Sequence, residues 1–99
     1  SAYDVVNTYS YEELTNILYK YGEEKYASSI VKNIIKKREI KPIETTLELA
    51  EIIKESVPEK YRRDKHPARK TFQAIRIEVN HELDVFEKSM CNHIPFFRR

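Results

Sequence analysis

Apolar residues recur at three- and four-residue intervals along most of the chain, and four stretches carry that period well enough to predict helices. Ser10 and Glu13 stand at capping-box spacing ahead of Leu14, Ile17, Leu18 and Tyr21, and Gly22 then offers a left-handed stop, which predicts a first helix over about 11–21. After a short turn, Ala27, Ile30, Val31, Ile34 and Ile35 form one face, with Lys25, Ser29, Lys32 and Lys36 opposite, down to about Arg38. Pro42 forbids continuation. Thr45 with Glu48 repeats the capping box before Leu49, Ala50, Ile52, Ile53 and Val57, so a third helix is expected to end before Pro58. From Ala68 the series Phe72, Ile75, Val79, Leu83 and Phe86 runs for about five turns and predicts the longest helix. Residues 58–67 are polar, basic and bounded by prolines, which reads as a long surface loop. Residues 1–8 and 89–99 are expected to be less regular.

No stretch alternates apolar and polar residues for a strand's length, so the expected fold is all-α. The short link at Gly22 predicts that the first two helices form an antiparallel or angled hairpin, with the third and fourth as a second pair packed across it. Ninety-nine residues with 40% hydrophobic content suit one domain and exclude a multidomain enzyme. A single cysteine, Cys91, cannot make an internal disulfide, and apolar runs as short as Ile34-Ile35 cannot cross a bilayer, so a soluble, cytoplasmic setting is expected. The only glycine is Gly22, too few for a glycine-rich phosphate loop. The only methionine is Met90, so the chain is expected to be a piece of something longer.

Charge changes the picture more than composition does. Lys60, Arg62, Arg63, Lys65, Arg69 and Lys70 face only Asp64 within residues 60–70, so this segment carries +5 while the formal net charge is +2. Beyond it, Arg69, Gln73, Arg76 and Asn80 make a polar stripe beside the apolar seam of the last helix, and such a stripe suits phosphates, base edges or a second protein surface. The Lys25, Ser29, Lys32, Lys36 stripe could be a recognition helix, but flanking Glu23, Glu24 and Glu39 favour a solvated face. His66, His81, Cys91 and His93 lack metal-ligand spacing and no metal is expected; Cys91 with His93 lacks the orienting third group that a nucleophile needs. The tyrosines of the first two helices read as core closure. Tyr61, inside the basic segment, is left open between core packing and stacking on an unpaired base.

The stretch His66-Pro67-Ala68-Arg69-Lys70-Thr71-Phe72-Gln73-Ala74-Ile75-Arg76-Ile77-Glu78-Val79-Asn80-His81-Glu82-Leu83 resembles the signature of the bacterial 16S ribosomal RNA cytosine-N4 methyltransferases, the MraW or RsmH family. Asp4-Val5-Val6-Asn7-Thr8, Tyr21-Gly22-Glu23-Glu24-Lys25-Tyr26-Ala27 and Lys41-Pro42-Ile43-Glu44-Thr45-Thr46 look like the family at matching spacing. The resemblance covers about 1–87; from 89 the chain looks unrelated, so a domain over 1–88 and a divergent, flexible tail over 89–99 are expected. It implies a helical substrate-recognition insertion, four main helices as two orthogonally packed helical hairpins in a SAM-domain-like bundle, interrupting a Rossmann-like methyltransferase domain, with S-adenosylmethionine bound by the parent enzyme and not by this chain, which alone is expected to be inactive. The implied partners are 16S ribosomal RNA or the small ribosomal subunit, and the missing catalytic domain. Lys60, Arg62, Arg63, Lys65, His66, Arg69 and Lys70 are the expected RNA-binding residues, and Gln73, Arg76 and Asn80 are expected to contact substrate or the catalytic domain. The alternative expectation is an interdomain docking module with little RNA affinity of its own.

Overall fold

The computed structural model describes residues 1–64 and 66–86, and among them the secondary structure is entirely helical, as the hydrophobic period predicts. Six helices follow one another: α1 (Ala2–Thr8), α2 (Tyr11–Lys20), α3 (Ala27–Ile40), α4 (Thr46–Glu55), α5 (Glu59–Asp64) and α6 (Arg69–Phe86). The two capping boxes read from the sequence are formed. Ser10 accepts from the Glu13 amide while Glu13 accepts from that of Ser10, and Thr45 and Glu48 do the same at the start of α4. Each cap satisfies two amides that a bare helix start leaves unpaired.

Two segments expected to be irregular are helices. Residues 1–8, expected to be less regular, hold α1, which is capped by Ser1 and Asp4 and buries Ala2, Val5 and Val6, a helical spacing too short to stand out in two turns. The presumed surface loop over 58–67 contains α5, opened by Pro58, whose carbonyl accepts from the Arg62 amide at 3.1 Å. Proline is tolerated there because the first turn of a helix has no use for its missing N–H. Tyr61 is the one large apolar anchor of α5, so no period betrayed it.

The packing also differs from two stacked hairpins. α2 and α3 are partners, as the short connection requires, but α4 packs chiefly on α3 while α6 packs on α2 and α1. The core lies between these layers and comprises, among others, Leu14, Leu18, Ile30, Ile34, Leu49, Ile53, Ile75 and Val79. Asn7 ties α1 to the α3–α4 connection: its Oδ1 accepts from the Ile43 amide at 2.8 Å, and its Nδ2 donates to the carbonyls of Ile43 at 2.9 Å and Tyr3 at 3.0 Å. Arg38, in the last turn of α3, donates to the Val6 carbonyl at 2.9 Å and so satisfies an acceptor at the end of α1.

The Gly22 turn works by a different device from the one expected. Gly22 has no positive φ; the left-handed residue is Glu23, at φ 52°. The glycine is needed for proximity, because a Cβ there would stand 2.6 Å from the Lys70 carbonyl oxygen and 3.2 Å from the Ala74 Cβ. Gly22 is thus where the first turns of α6 settle onto the end of α2.

Candidate functional site

The turn that admits α6 also delivers a buried acid. Glu24 is fully buried, and its carboxylate accepts from the Tyr26 amide at 3.0 Å and from the Tyr61 hydroxyl at 3.3 and 3.4 Å. Tyr61 also meets Tyr26 edge to face, with ring centroids 4.9 Å apart. These contacts hold α5, which has little apolar surface of its own, against the start of α3. Burial pushes the Tyr61 phenol above its ordinary pKa, and the neighbouring Glu24 charge pushes it further.

Holding α5 there creates an open cleft of about 580 Å³ lined by Lys25, Tyr26, Pro58, Lys60, Tyr61 and Arg63. Lys60 and Arg63 come from the basic segment and Lys25 from the stripe that the sequence favoured as a solvated face. Lys25 Nζ lies 5.4 Å from the Tyr26 ring centroid, a cation–π distance that leaves the ammonium at the mouth of the cleft. Tyr61 is therefore half-buried and its hydroxyl is engaged, which decides its open reading in favour of packing and against a free stacking platform.

The other expected RNA-binding residues spread outward from this cleft. Arg62 is exposed but donates to the Val57 carbonyl at 3.2 Å, a bond that steadies α5 on its connection to α4. His66, Arg69 and Lys70 are exposed around the start of α6, while Lys65 lies outside the described residues. Gln73, Arg76 and Asn80 are exposed along α6 and do not line the cleft. Within the signature stretch, Thr71 is buried and Phe72 half-buried against the core, so the motif divides into an inward and an outward half. Among the described side chains, which do not include Asp64, no carboxylate forms an ion pair with Lys25, Lys60, Arg62, Arg63, Arg69, Lys70 or Arg76, whereas Lys37, Lys41 and Lys54 all have acidic partners.

A second cleft, of about 470 Å³, holds Lys32 and Lys36 with Ser28, Ser29, Asn33, Ser56 and Glu55. Here the polar groups are largely spent on one another: Ser29 donates to the Ser56 carbonyl at 2.6 Å, and Asn33 donates to the Ile52 carbonyl at 3.2 Å and the Ser56 hydroxyl at 3.0 Å. This bonding joins α3 to α4 and engages Ser29 of the candidate recognition stripe, while Lys32 and Lys36 stay exposed. Among the described residues, no three His, Cys, Asp or Glu side chains gather as metal ligands, and no helix is long and apolar enough to cross a membrane. Cys91, His93 and the boundary placed at residue 88 lie outside the described residues.

The sequence reading put Lys25 on a solvated stripe and Tyr26 in core closure, with both inside a family-like stretch, and named neither as a site residue. The Lys-Tyr pair recurs as Lys60-Tyr61, but nothing local says that two pairs so far apart in the chain meet.

The model of the MraW methylase family matches residues 1–99, a span that takes in the last eleven residues. The ribosomal RNA small subunit methyltransferase H of Fusobacterium nucleatum is 53% identical over 98 residues, which is 99% of this chain and 31% of that protein. The protein of the same name from Carboxydothermus hydrogenoformans is 58% identical over 98 residues, again 99% of this chain and 32% of that protein. Its namesake in Oenococcus oeni is 57% identical over 90 residues, 90% of this chain and 29% of that protein. The chain therefore spans about a third of the length of these relatives. With its whole length matched and more than half of its residues shared with such proteins, this chain belongs to the MraW methylase family.

Proposed function

We propose that this chain is the RNA-recognising helical part of a methyltransferase that transfers a methyl group from S-adenosylmethionine to N4 of a cytidine in 16S ribosomal RNA. The observation that carries the reading is the set of exposed cations Lys60, Arg62, Arg63, Arg69 and Lys70, none of which has a carboxylate partner among the described side chains. Exposed cations without such partners suit phosphate binding, since every neutralised phosphate releases condensed counterions. The relatives' printed name, ribosomal RNA small subunit methyltransferase H, agrees with an RNA substrate.

The described residues do not fit the methyl donor. A donor-binding loop uses glycine to let a ligand approach the backbone, but the space beside Gly22 is taken by the Lys70 carbonyl and Ala74. The donor is assigned to the remaining part of a longer enzyme, and no methyl transfer is assigned to these helices. Their contribution is positional. An exocyclic amine is a weak nucleophile, so holding the target segment in place carries much of the acceleration.

The test is a titration of the 99-residue chain with a short 16S-derived RNA, followed residue by residue through amide shifts at low and moderate salt. Shifts clustered over residues 60–80 that fade with salt are expected; a folded chain whose amides ignore the RNA at low salt overturns the reading. A second reading rests on Arg69, Gln73, Arg76 and Asn80, exposed along α6 away from the basic cleft. They would dock the catalytic domain. Complementation with the rest of the enzyme separates the two: docking predicts that methylation is lost on Arg76→Ala and survives Arg63→Ala.

A further inference from the structure

The cleft between the start of α3 and α5 joins Lys25 to cations 35 and 38 positions further along the chain, and Lys25 is not among the expected RNA-binding residues. We propose that this cleft is a clamp for the RNA sugar–phosphate backbone, in which Lys25, Lys60 and Arg63 take phosphodiester oxygens while Tyr26, Tyr61 and Pro58 form the floor. The proposal rests on the RNA-recognition reading and specifies one place and one chemistry within it.

Four observations support a phosphodiester as the occupant. The three cations line one concave surface and have no ion-pair partner among the described side chains. No carboxylate is among the described residues lining the cleft, so none of them repels a phosphate set between the cations. Neither ring is free for a base to stack upon: Tyr26 carries Lys25 above it and Tyr61 against it, and the Tyr61 hydroxyl is bound to Glu24. That leaves the backbone as the part of RNA that the cleft can hold. The start of α3 also meets the cleft through its N-cap, Tyr26, and the first turn of α3 contains no acid.

The buried Glu24 carboxylate opposes an anion in principle, but its oxygens already accept from the Tyr61 hydroxyl and the Tyr26 amide on the inner side of the rings. It acts as the fastener that sets α5, and with it Lys60 and Arg63, across from Lys25. Because the clamp would read only backbone, it predicts affinity without base preference at this site.

The experiment measures the affinity of the 99-residue chain for a short fluorescent single-stranded RNA across a salt series. Each phosphate contact contributes about 0.7 to the slope of log affinity against log salt for a single strand. Lys25→Ala, Lys60→Ala and Arg63→Ala are each expected to lower that slope by about this amount. Lys25→Arg is expected to restore it, and Lys36→Ala, in the neighbouring cleft, to leave it unchanged. A wild-type slope in Lys25→Ala, with RNA still bound, overturns the clamp and leaves the recognition reading standing. Absence of binding by the wild-type chain at low salt overturns the recognition reading and the clamp together. Displacement of the RNA by an acidic peptide of equal charge, with the same dependence on Lys25, overturns the assignment to phosphodiester.

Discussion

Replacing Gly22 with alanine probes the contact on which the placement of α6 depends. The added Cβ would stand 2.6 Å from the Lys70 carbonyl oxygen, and ordinary van der Waals contact begins near 3.4 Å, so the first turn of α6 must retreat by about 0.8 Å or the end of α2 must bend. The atom in the way is backbone, so no rotamer change relieves it. A second contact, 3.0 Å to the Leu18 carbonyl, blocks retreat in the other direction. Overpacking of this kind costs about 1–3 kcal/mol, and a radial gap of this size forfeits a quarter to a half of the dispersion wells it opens. Because Gly22 has no positive φ, the substitution also gains about 0.4–1 kcal/mol by restricting the unfolded chain. The net expectation is a loss of about 1–2 kcal/mol, which for a domain of this size lowers Tm by roughly 4–8 °C per kcal/mol. Thermal unfolding of the 99-residue chain, followed by circular dichroism, reads this directly. A Gly22→Ala chain as stable as the wild type or more so would refute the claim that close approach, and not conformational freedom, is why glycine stands there.

Two further outcomes follow from particular hydrogen bonds. Asn7→Ala removes two bonds between α1 and the α3–α4 connection, and one within α1, and strands the Ile43 amide and carbonyl, so a loss of about 1–3 kcal/mol is expected in denaturant unfolding; Asn7→Asp, which keeps the acceptor and loses the donor, should not recover it. Burial and the Glu24 charge hold the Tyr61 phenol protonated beyond its ordinary range, so an ultraviolet pH titration should show a delayed phenol step that Tyr61→Phe abolishes. Since its folded pKa is raised, the stabilisation is fully present below the ordinary phenol value of 10.0 and is lost as pH rises through the folded one. Alkaline loosening of α5 ahead of global unfolding is the expected sign, and an unchanged melting profile between neutral and strongly alkaline pH would contradict it.

Local pattern determined a good deal of this protein. α2, α3, α4 and α6 were legible because an amphipathic helix long enough to bury a stripe must repeat apolar residues at helical spacing, and because Ser10–Glu13 and Thr45–Glu48 satisfy their amides from within four residues. The concentration of cations over residues 60–70 and the family signature from His66 onward were likewise written in contiguous residues. α1 and α5 were not legible, since two turns carry too little period and their stability comes from Asn7, Arg38, Tyr61 and Glu24 reaching partners up to 37 positions away. The purpose of Gly22 was misread for the same reason. A glycine before a helix suggests a left-handed turn, and only the approach of α6 reveals that the missing side chain makes room for the Lys70 carbonyl. The candidate clamp is the clearest product of tertiary structure. Charge can be counted along the chain, but the convergence of Lys25 with Lys60 and Arg63 depends on a buried glutamate fastening a two-turn helix, and no local interaction encodes that meeting.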